Sequence, residues 1–471
     1  MNNDLTKGPV IKSMLLFAIP MIIGDLLQQC YNIADTLIVG QVLGKNALAS
    51  VGSSFTLMTF LTSIILGLCM GSGTLFSICF GQKDEEKLKE NLSASFFFIL
   101  LISVILNIIA YLSLDYLKVF LNVPDEVWLD IKDYLFIIFT GILAIFLYNY
   151  FASYLRAIGN SITPLIFLGL SSFVNIALDL CFVISLNKDV IGAAKATVIA
   201  QYLSGIGILL YTFKKYPQVF SICKVSYLKK ERIKEIVSYS ILTCLQQSVM
   251  NLGILMVQGL VNSFGTVVMA AFAAAVKIDA FAYMSVQDFG NAFSTFIAQN
   301  YGAKEDERIR NGLKAAVSIS TGFCLAVSLL VFICAKPLMM IFVNEMDVIK
   351  EGARYLRIEG SFYLGIGCLF LLYGLYRAIG KPAMSLVLTI ISLGTRVLLA
   401  FILSSIVGVV GIWWSVPIGW FLADLFGFGY YILNKKIINL NNYFEYSLNI
   451  QRIDKRLSHR LFLFHCHRLE S

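Results

Sequence analysis

A run of polar side chains interrupts the first long apolar segment of this chain. The stretch GDLLQQCYNIADT lies between the apolar runs SMLLFAIPMII and LIVG. At roughly 100° per residue, Asp25, Gln29, Asn32 and Thr36 fall on one helical face, and Asp35 lies on its flank. An ionised carboxylate that faces lipid is costly, so this face should look into the protein or into a water-filled cavity. We therefore treat it as a candidate functional site.

Other oxygen-bearing side chains should lie at the membrane depth of Asp35. Asn175 and Asp179 share one face of the predicted fifth span, Thr197 lies near the start of the sixth, and Tyr134 begins the fourth. Such a group could hold Na⁺, or a proton shared between the two carboxylates. We predict that these five residues form a cation-coupling site. The alternative is that they are ordinary polar contacts between membrane helices.

The elements that position these side chains are predicted to be membrane helices. The 471 residues are 58% hydrophobic and 14% charged, with a mean hydropathy of +0.78. Apolar runs of about 20 residues are long enough to cross a bilayer as helices. We predict an all-α membrane protein with twelve transmembrane helices. The predicted spans are 13–40, 50–80, 93–114, 131–155, 162–187, 190–213, 236–262, 268–300, 312–337, 353–377, 384–408 and 411–433.

Lysine and arginine concentrate in one set of the loops between these spans. That set includes Lys83, Arg156, Lys304 and Arg377, together with a basic stretch in the middle of the chain. The positive-inside rule assigns these loops to the cytoplasm, so both termini should be cytoplasmic in a multi-pass protein of the inner membrane. The net charge of +8 thus follows from topology, and no nucleic-acid partner is expected.

The chain also repeats itself at one fixed offset. FGQKDEEKLKENL at Phe80 returns as YGAKEDERIRNGL at Tyr301, and LRAIGNSITPL at Leu155 returns as YRAIGKPAMSL at Tyr376, both 221 residues later. Halves of six spans each enter the membrane in the same direction, which is a transporter plan. The predicted organisation is two pseudo-symmetric six-helix lobes, 1–213 and 236–435, with a cytoplasmic linker, 214–235, and a cytoplasmic tail, 436–471.

The repeat does not extend to the predicted cation site. At the same offset, Asn175 and Asp179 correspond to Arg396 and Ala400. The second half therefore carries no carboxylate pair at these positions, and we expect the site in the first half alone.

Several segments together resemble the MATE family of multidrug and toxin extrusion transporters. They are YNIADTLIVGQVLG in the first span, GSGTLFSICFGQKDEEK ending the second, LRAIGNSITP after the fourth and NIALD in the fifth. The chain looks closest to the bacterial branch with a cation site in the N-terminal lobe. The resemblance implies two six-helix lobes in a V-shaped arrangement. It also implies a secondary active antiporter that exports amphipathic organic cations in exchange for H⁺ or Na⁺.

The resemblance also bears on single residues. The positions that it implies for the cation site are Asp35, Asn175, Asp179 and Thr197, and Tyr134 and Pro20 match positions implicated in the same lobe. Asp25 departs from the family pattern, which commonly has an uncharged polar residue there. Pro20 should kink the first span about one turn before Asp25. A static kink and a bend that responds to protonation of Asp35 both remain open.

The second half has charged residues of its own inside predicted spans. Arg396 and Asp424 lie at similar depth and could pair, as ordinary ion pairs between helices would. The sharper hypothesis is that acidic side chains contact a cationic substrate. The predicted substrate cleft comprises Asp25, Gln29, Asn32, Asp279, Asp288 and Asp424.

Several functions are disfavoured by what the sequence lacks. No P-loop motif and no long soluble segment occur, so neither an ATP-driven pump nor an enzyme is expected. We expect a monomer without cofactor or metal centre, in which the coupling ion is H⁺ or Na⁺. The tail residues His459, His465, Cys466 and His467 are more typical of a disordered or interfacial segment than of a metal site. The alternatives are a flippase for a lipid-linked precursor and, less favoured, a channel.

Overall fold

The computed structural model describes residues 4–43, 45–116, 125–186 and 188–434, and within these ranges the chain is helical and forms no β-strand. The first half contains α1 Val10–Val42, α2 Lys45–Gln82, α3 Glu85–Leu112, α4 Asp125–Phe139, α5 Ile142–Ala157, α6 Ile162–Asp179 and α7 Val190–Lys215. The second half contains α8 Lys230–Asn262, α9 Thr266–Ala303, α10 Asp306–Met340, α11 Met346–Gly360, α12 Tyr363–Ala378, α13 Pro382–Val407 and α14 Val409–Leu433. Met1–Asp424 belong to one compact unit, and Leu425 begins a second one. The histidines and Cys466 of the tail lie outside the described residues.

Two of the membrane spans are bent. Among the described residues, ten helices are long and apolar enough to cross a membrane, and two bent pairs bring the number to twelve. α4 meets α5 at 43°, and α11 meets α12 at 50°. The all-α fold with twelve spans is thereby confirmed. The breaks fall at Thr140 and Ser361, which are again 221 residues apart, so the repeat holds for the backbone as well.

The sequence analysis did not predict these breaks. In the first half the apolar run continues through the break, and in the second half the break comes at the end of the polar stretch RIEGS. In the first half, the Thr140 hydroxyl donates to the carbonyl of Ile137 at 2.6 Å, and the Tyr202 hydroxyl of α7 donates to the carbonyl of Thr140 at 2.8 Å. In the second half, the Ser361 hydroxyl donates to the carbonyl of Arg357 at 2.5 Å. Side chains thus add hydrogen bonds to the backbone carbonyls at both breaks.

The predicted linker 214–235 is more ordered than a simple loop. It contains the end of α7, two short 3₁₀ turns at Pro217–Cys223 and Val225–Tyr227, and the first turn of α8. Arg232 of that turn pairs with Glu90 of α3 at 3.1 Å and with Glu235 at 2.7 Å, and Lys229 also contacts Glu90. These ion pairs explain why α8 begins six residues before the predicted span.

The largest contacts between the two halves involve α1 and α2 of the first half and α8 and α9 of the second. α1 packs on α6 of its own half and on α9 of the other, and α2 packs on α5, α8 and α9. Glycines allow the backbones to touch, since a Cβ added to Gly71 would lie only 2.6 Å from the carbonyl oxygen of Tyr239. Next to it, the hydroxyls of Ser72 and Ser240 form a hydrogen bond of 2.9 Å. Small residues at such a contact are typical of packing between membrane helices.

The halves are tied most firmly at the basic end, by which we mean the end of the helices that carries Lys83, Arg156, Lys304 and Arg377. Gln299 of α9 is fully buried there, and its amide nitrogen donates to the carbonyl of Ala157 in the first half at 2.7 Å. Its side-chain oxygen accepts from the backbone of Leu5 at 3.1 Å. Arg308 of α10 donates to three carbonyls of the N-terminal segment, those of Leu5, Lys7 and Gly8.

The close approach at the basic end leads to a prediction about Gly302. A Cβ at this position would collide with the carbonyl oxygen of Ile78 in α2. Overpacking of this kind costs about 1–3 kcal/mol, so Gly302→Ala should lower the melting temperature of the purified protein by several degrees. Gly322→Ala on α10 is the matched control, because no atom lies within 4 Å of its added Cβ. Equal melting temperatures for the two variants would contradict the close contact.

Candidate cation site

The first-half carboxylates of the predicted site come together. Asp35 lies on α1 and Asp179 is the last residue of α6, two helices that pack against each other. Both side chains are buried, with exposed fractions of 9% and 0%. Their carboxyl groups lie within hydrogen-bond reach of each other. The depth argument thus placed the two side chains correctly, and their role in transport stays a prediction.

Asn175 and Thr197 support this pair from the side. With the Asn175 amide in the orientation that satisfies both of its ends, its nitrogen donates to Asp179 Oδ2 at 2.9 Å. Its oxygen then accepts from the backbone N–H and the hydroxyl of Thr197 at 3.1 and 3.3 Å. One turn of α6 and the start of α7 therefore hold the Asp179 carboxyl group in a fixed orientation.

Two tyrosines complete the site. Tyr134 of α4 is buried close to both carboxyl groups. Tyr31 of α1 contacts the hydroxyl of Thr197 and also lies near the two acids. The sequence analysis did not include Tyr31, although its spacing of four residues from Asp35 puts both side chains on one helical face.

Two carboxylate oxygens of the site lack a hydrogen-bond donor among the described residues. Asp35 Oδ1 and Asp179 Oδ1 are buried and accept no hydrogen bond from any described residue. Val39, Val183 and Val198 belong, together with Tyr134 of the site, to one buried hydrophobic cluster. In such surroundings charges interact strongly, so two neighbouring carboxylates need a proton or a cation between them.

The backbone changes its geometry directly after Asp179. Residues Leu180–Ser185 form a π-helical turn before the chain enters α7. Insertions of this kind are frequent at functional sites. In contrast, α1 continues as one helix through Pro20, and a bend that responds to protonation stays a prediction.

The six residues predicted for a substrate cleft do not form a single group. Asp25 of α1 meets Asp288 of α9 across the two halves. Asp424 lies near Cys368 of α12, and Gln29 and Asn32 are half-buried on α1. Contact of these residues with a substrate stays a prediction.

The second half has a buried acidic group that the offset comparison missed. Asp279 of α9 lies near Tyr363 of α12, and Glu359 of α11 lies near Tyr355 of the same helix. Arg396 of α13 lies near both acids, and among the described residues it makes no ion pair with Asp424, so that suggested pairing was wrong. The comparison failed because this group uses other helices than the first-half pair does.

The chain is similar to known proteins in family profile, sequence and fold. The profile of the MatE family matches residues 20–181 and 240–402. The probable multidrug resistance protein YpnP of Bacillus subtilis is 29% identical over 389 residues, which are 83% of this chain and 87% of that protein. The multidrug export protein MepA of Staphylococcus aureus is 24% identical over 424 residues, which are 89% and 93% of the two chains.

Solved structures share the fold. One is described as the outward-facing conformation of a multidrug resistance MATE family transporter of the MOP superfamily, with a TM-score of 0.86 and 23% identity over 93% of this chain and 98% of that one. Another is a variant of the MATE transporter VcmN from Vibrio cholerae, with a TM-score of 0.84 and 22% identity over 91% and 98%.

The contact between Asp35 and Asp179 predicts how stability responds to pH. Two unit charges about 4 Å apart repel by about 4 kcal/mol at an effective dielectric constant of about 20. The wild type should therefore lose thermal stability as rising pH removes the shared proton, and Asp35→Asn should lose less. Melting temperatures across a pH series measure this difference. Asp115→Asn, in an exposed ion pair with Lys132, serves as the control. If the melting temperatures of Asp35→Asn and of the wild type changed in parallel with pH, the shared proton would be contradicted.

Proposed function

Because the chain belongs to the MATE family of multidrug efflux transporters, we propose that it is a secondary active antiporter that exports amphipathic organic cations in exchange for H⁺ or Na⁺. The observation that carries the proposal is the buried contact between the carboxyl groups of Asp35 and Asp179. The names of the relatives, which describe multidrug resistance and multidrug export, support the class of substrate.

In the proposed mechanism, the first half takes up the coupling ion. Asp35 and Asp179 bind it from outside, and Asn175, Thr197 and Tyr134 orient the two acids. Direct contact between two carboxyl groups supports a proton, whereas Na⁺ needs several oxygen ligands around it and would push the carboxyl groups apart. Binding changes the path of α1, in which Pro20 leaves one backbone carbonyl without its helical partner. The drug then leaves the cleft, and release of the ion inside resets it.

The driving force of one exchanged ion is sufficient for export. One charge that crosses about 100 mV yields about 2.3 kcal/mol. A tenfold ion gradient adds about 1.4 kcal/mol, so together they support roughly a few-hundred-fold gradient of a neutral substrate. One-for-one exchange with a monovalent drug cation is electroneutral and gains only the chemical contribution.

We also propose an oligomeric state, a membrane and an orientation for the protein. It acts as a monomer in the cytoplasmic membrane, with both termini in the cytoplasm and the basic end facing inward. Support comes from the concentration of Lys and Arg in the loops at that end.

Ethidium efflux from loaded proteoliposomes tests the function. A Na⁺ gradient and a pH gradient are applied separately to the wild type, to Asp35→Asn and to the control Asp115→Asn. We expect one gradient to drive efflux, Asp35→Asn to lose at least about tenfold in rate because the shared site is gone, and the control to match the wild type.

Two results would count against the proposal. Normal efflux by Asp35→Asn would mean that Asp35 has a structural role only. No efflux by the wild type under either gradient would favour the flippase, and a lipid-linked precursor should then be tried as substrate.

A further inference from the structure

A second pair of acids lies where the two halves meet. Asp25 belongs to α1 and Asp288 to α9, and the side-chain carboxyl groups lie within hydrogen-bond reach of each other. Asp288 is 6% exposed, and its Oδ2 accepts no hydrogen bond from any described residue. Unlike Asp35 and Asp179, which both belong to the first half, this pair exists only while the halves are together.

The charged groups around this pair come from both halves. From α5, Arg156 and Tyr148 face both acids. From α9 itself, the Asn291 side chain contacts Asp288, and its oxygen accepts from Arg377 of α12 at 2.9 Å. Arg377 and Arg156 occupy equivalent positions of the internal repeat.

Among the described residues, Arg156 is the cation that faces both acids directly. Arg377 donates to neutral partners, namely Asn291 and the hydroxyl of Ser294, and so reaches the acids only through Asn291. If both acids were ionised, two carboxylates in contact would face a single arginine in a buried position between the halves.

We propose that Asp25 and Asp288 form a second proton site, in which one shared proton holds the two halves together towards the basic end. When the proton leaves to water in the cleft, the two carboxylates repel each other and the halves separate there. The inference rests on the proposed antiport function, to which it adds a site that senses the conformation of the halves.

A metal ion fits this pair less well than a proton does. Na⁺ between two carboxylates requires further oxygen ligands and a wider separation than direct contact allows. Arg156 already places a positive charge beside the acids, and that charge repels a metal cation. A proton needs no further ligand and suits two carboxyl oxygens in contact.

The site would couple protonation to conformation without any contact to the drug. A ligand shifts an equilibrium only by its different affinity for the two states. The shared proton has two carboxyl partners when the halves are together and one when they are apart. Low pH should therefore favour the form that is closed at the basic end.

The distance between the halves at the basic end tests the proposal. Spin labels are placed at the exposed positions Glu85 and Glu307, after the native cysteines have been replaced, and distances are measured by pulsed electron resonance. The samples contain no Na⁺, no substrate and no gradient, and their pH runs from about 5 to about 9, on both sides of ordinary carboxyl and histidine titration.

The proposal predicts a specific pattern among the variants. In the otherwise wild-type protein, the fraction of long distances should rise several-fold with pH. Asp25→Asn, Asp288→Asn and the double variant replace the shared proton by amide hydrogens, so each should stay closed at every pH. Asp115→Asn should follow the wild type.

Three outcomes would overturn the inference. They are a distance that does not respond to pH in the wild type, a wild-type response that persists in any folded variant of the pair, and a closed form that appears on addition of Na⁺ at high pH. The single variants keep the test informative if the double variant does not fold. Because no efflux is measured, failure here is distinguishable from failure of the proposed transport function.

Discussion

A carboxyl group inside a bilayer must share its charge with a proton, a cation or a basic side chain, and this constraint organises the whole molecule. Asp35 with Asp179, Asp25 with Asp288, and Asp279 with Glu359 and Arg396 are three solutions to it. Each group joins helices that are distant in the chain. The first lies within one half, the second bridges the halves, and the third lies within the other half.

α1 connects two of these groups. Asp25 and Asp35 are ten residues apart on one continuous helix, or roughly 15 Å along its axis. The helix packs on α6 beside Asp35 and on α9 beside Asp25. A change in the path of α1 at one acid pair therefore also shifts the side chain of α1 in the other pair. In the proposed mechanism, this arrangement connects ion binding in the first half to the contact between both halves.

The contacts between the halves also limit how they can move. Close backbone contacts join α2 to α9 at Gly81 and Gly302 and to α8 at Gly71, and the hydrogen bonds of Gln299 join α9 to Ala157 and Leu5 of the first half. Interfaces this tight favour two discrete arrangements over a continuous deformation. The bends in α4–α5 and α11–α12 recur at equivalent positions. Both halves therefore share one backbone plan, while their buried charges differ.

The twelve spans, the repeat of 221 residues and the first acid pair were predictable from the amino-acid sequence alone, because hydropathy and helical periodicity are local properties and polar residues stand out among apolar ones. The sequence did not reveal Tyr31, the two bends, the second-half group or the partner of Asp25. Those depend on which helices are neighbours and on their rotation about their axes. These features became visible in the folded molecule, since an acid in a span indicates that a partner exists but carries no information about which helix supplies that partner.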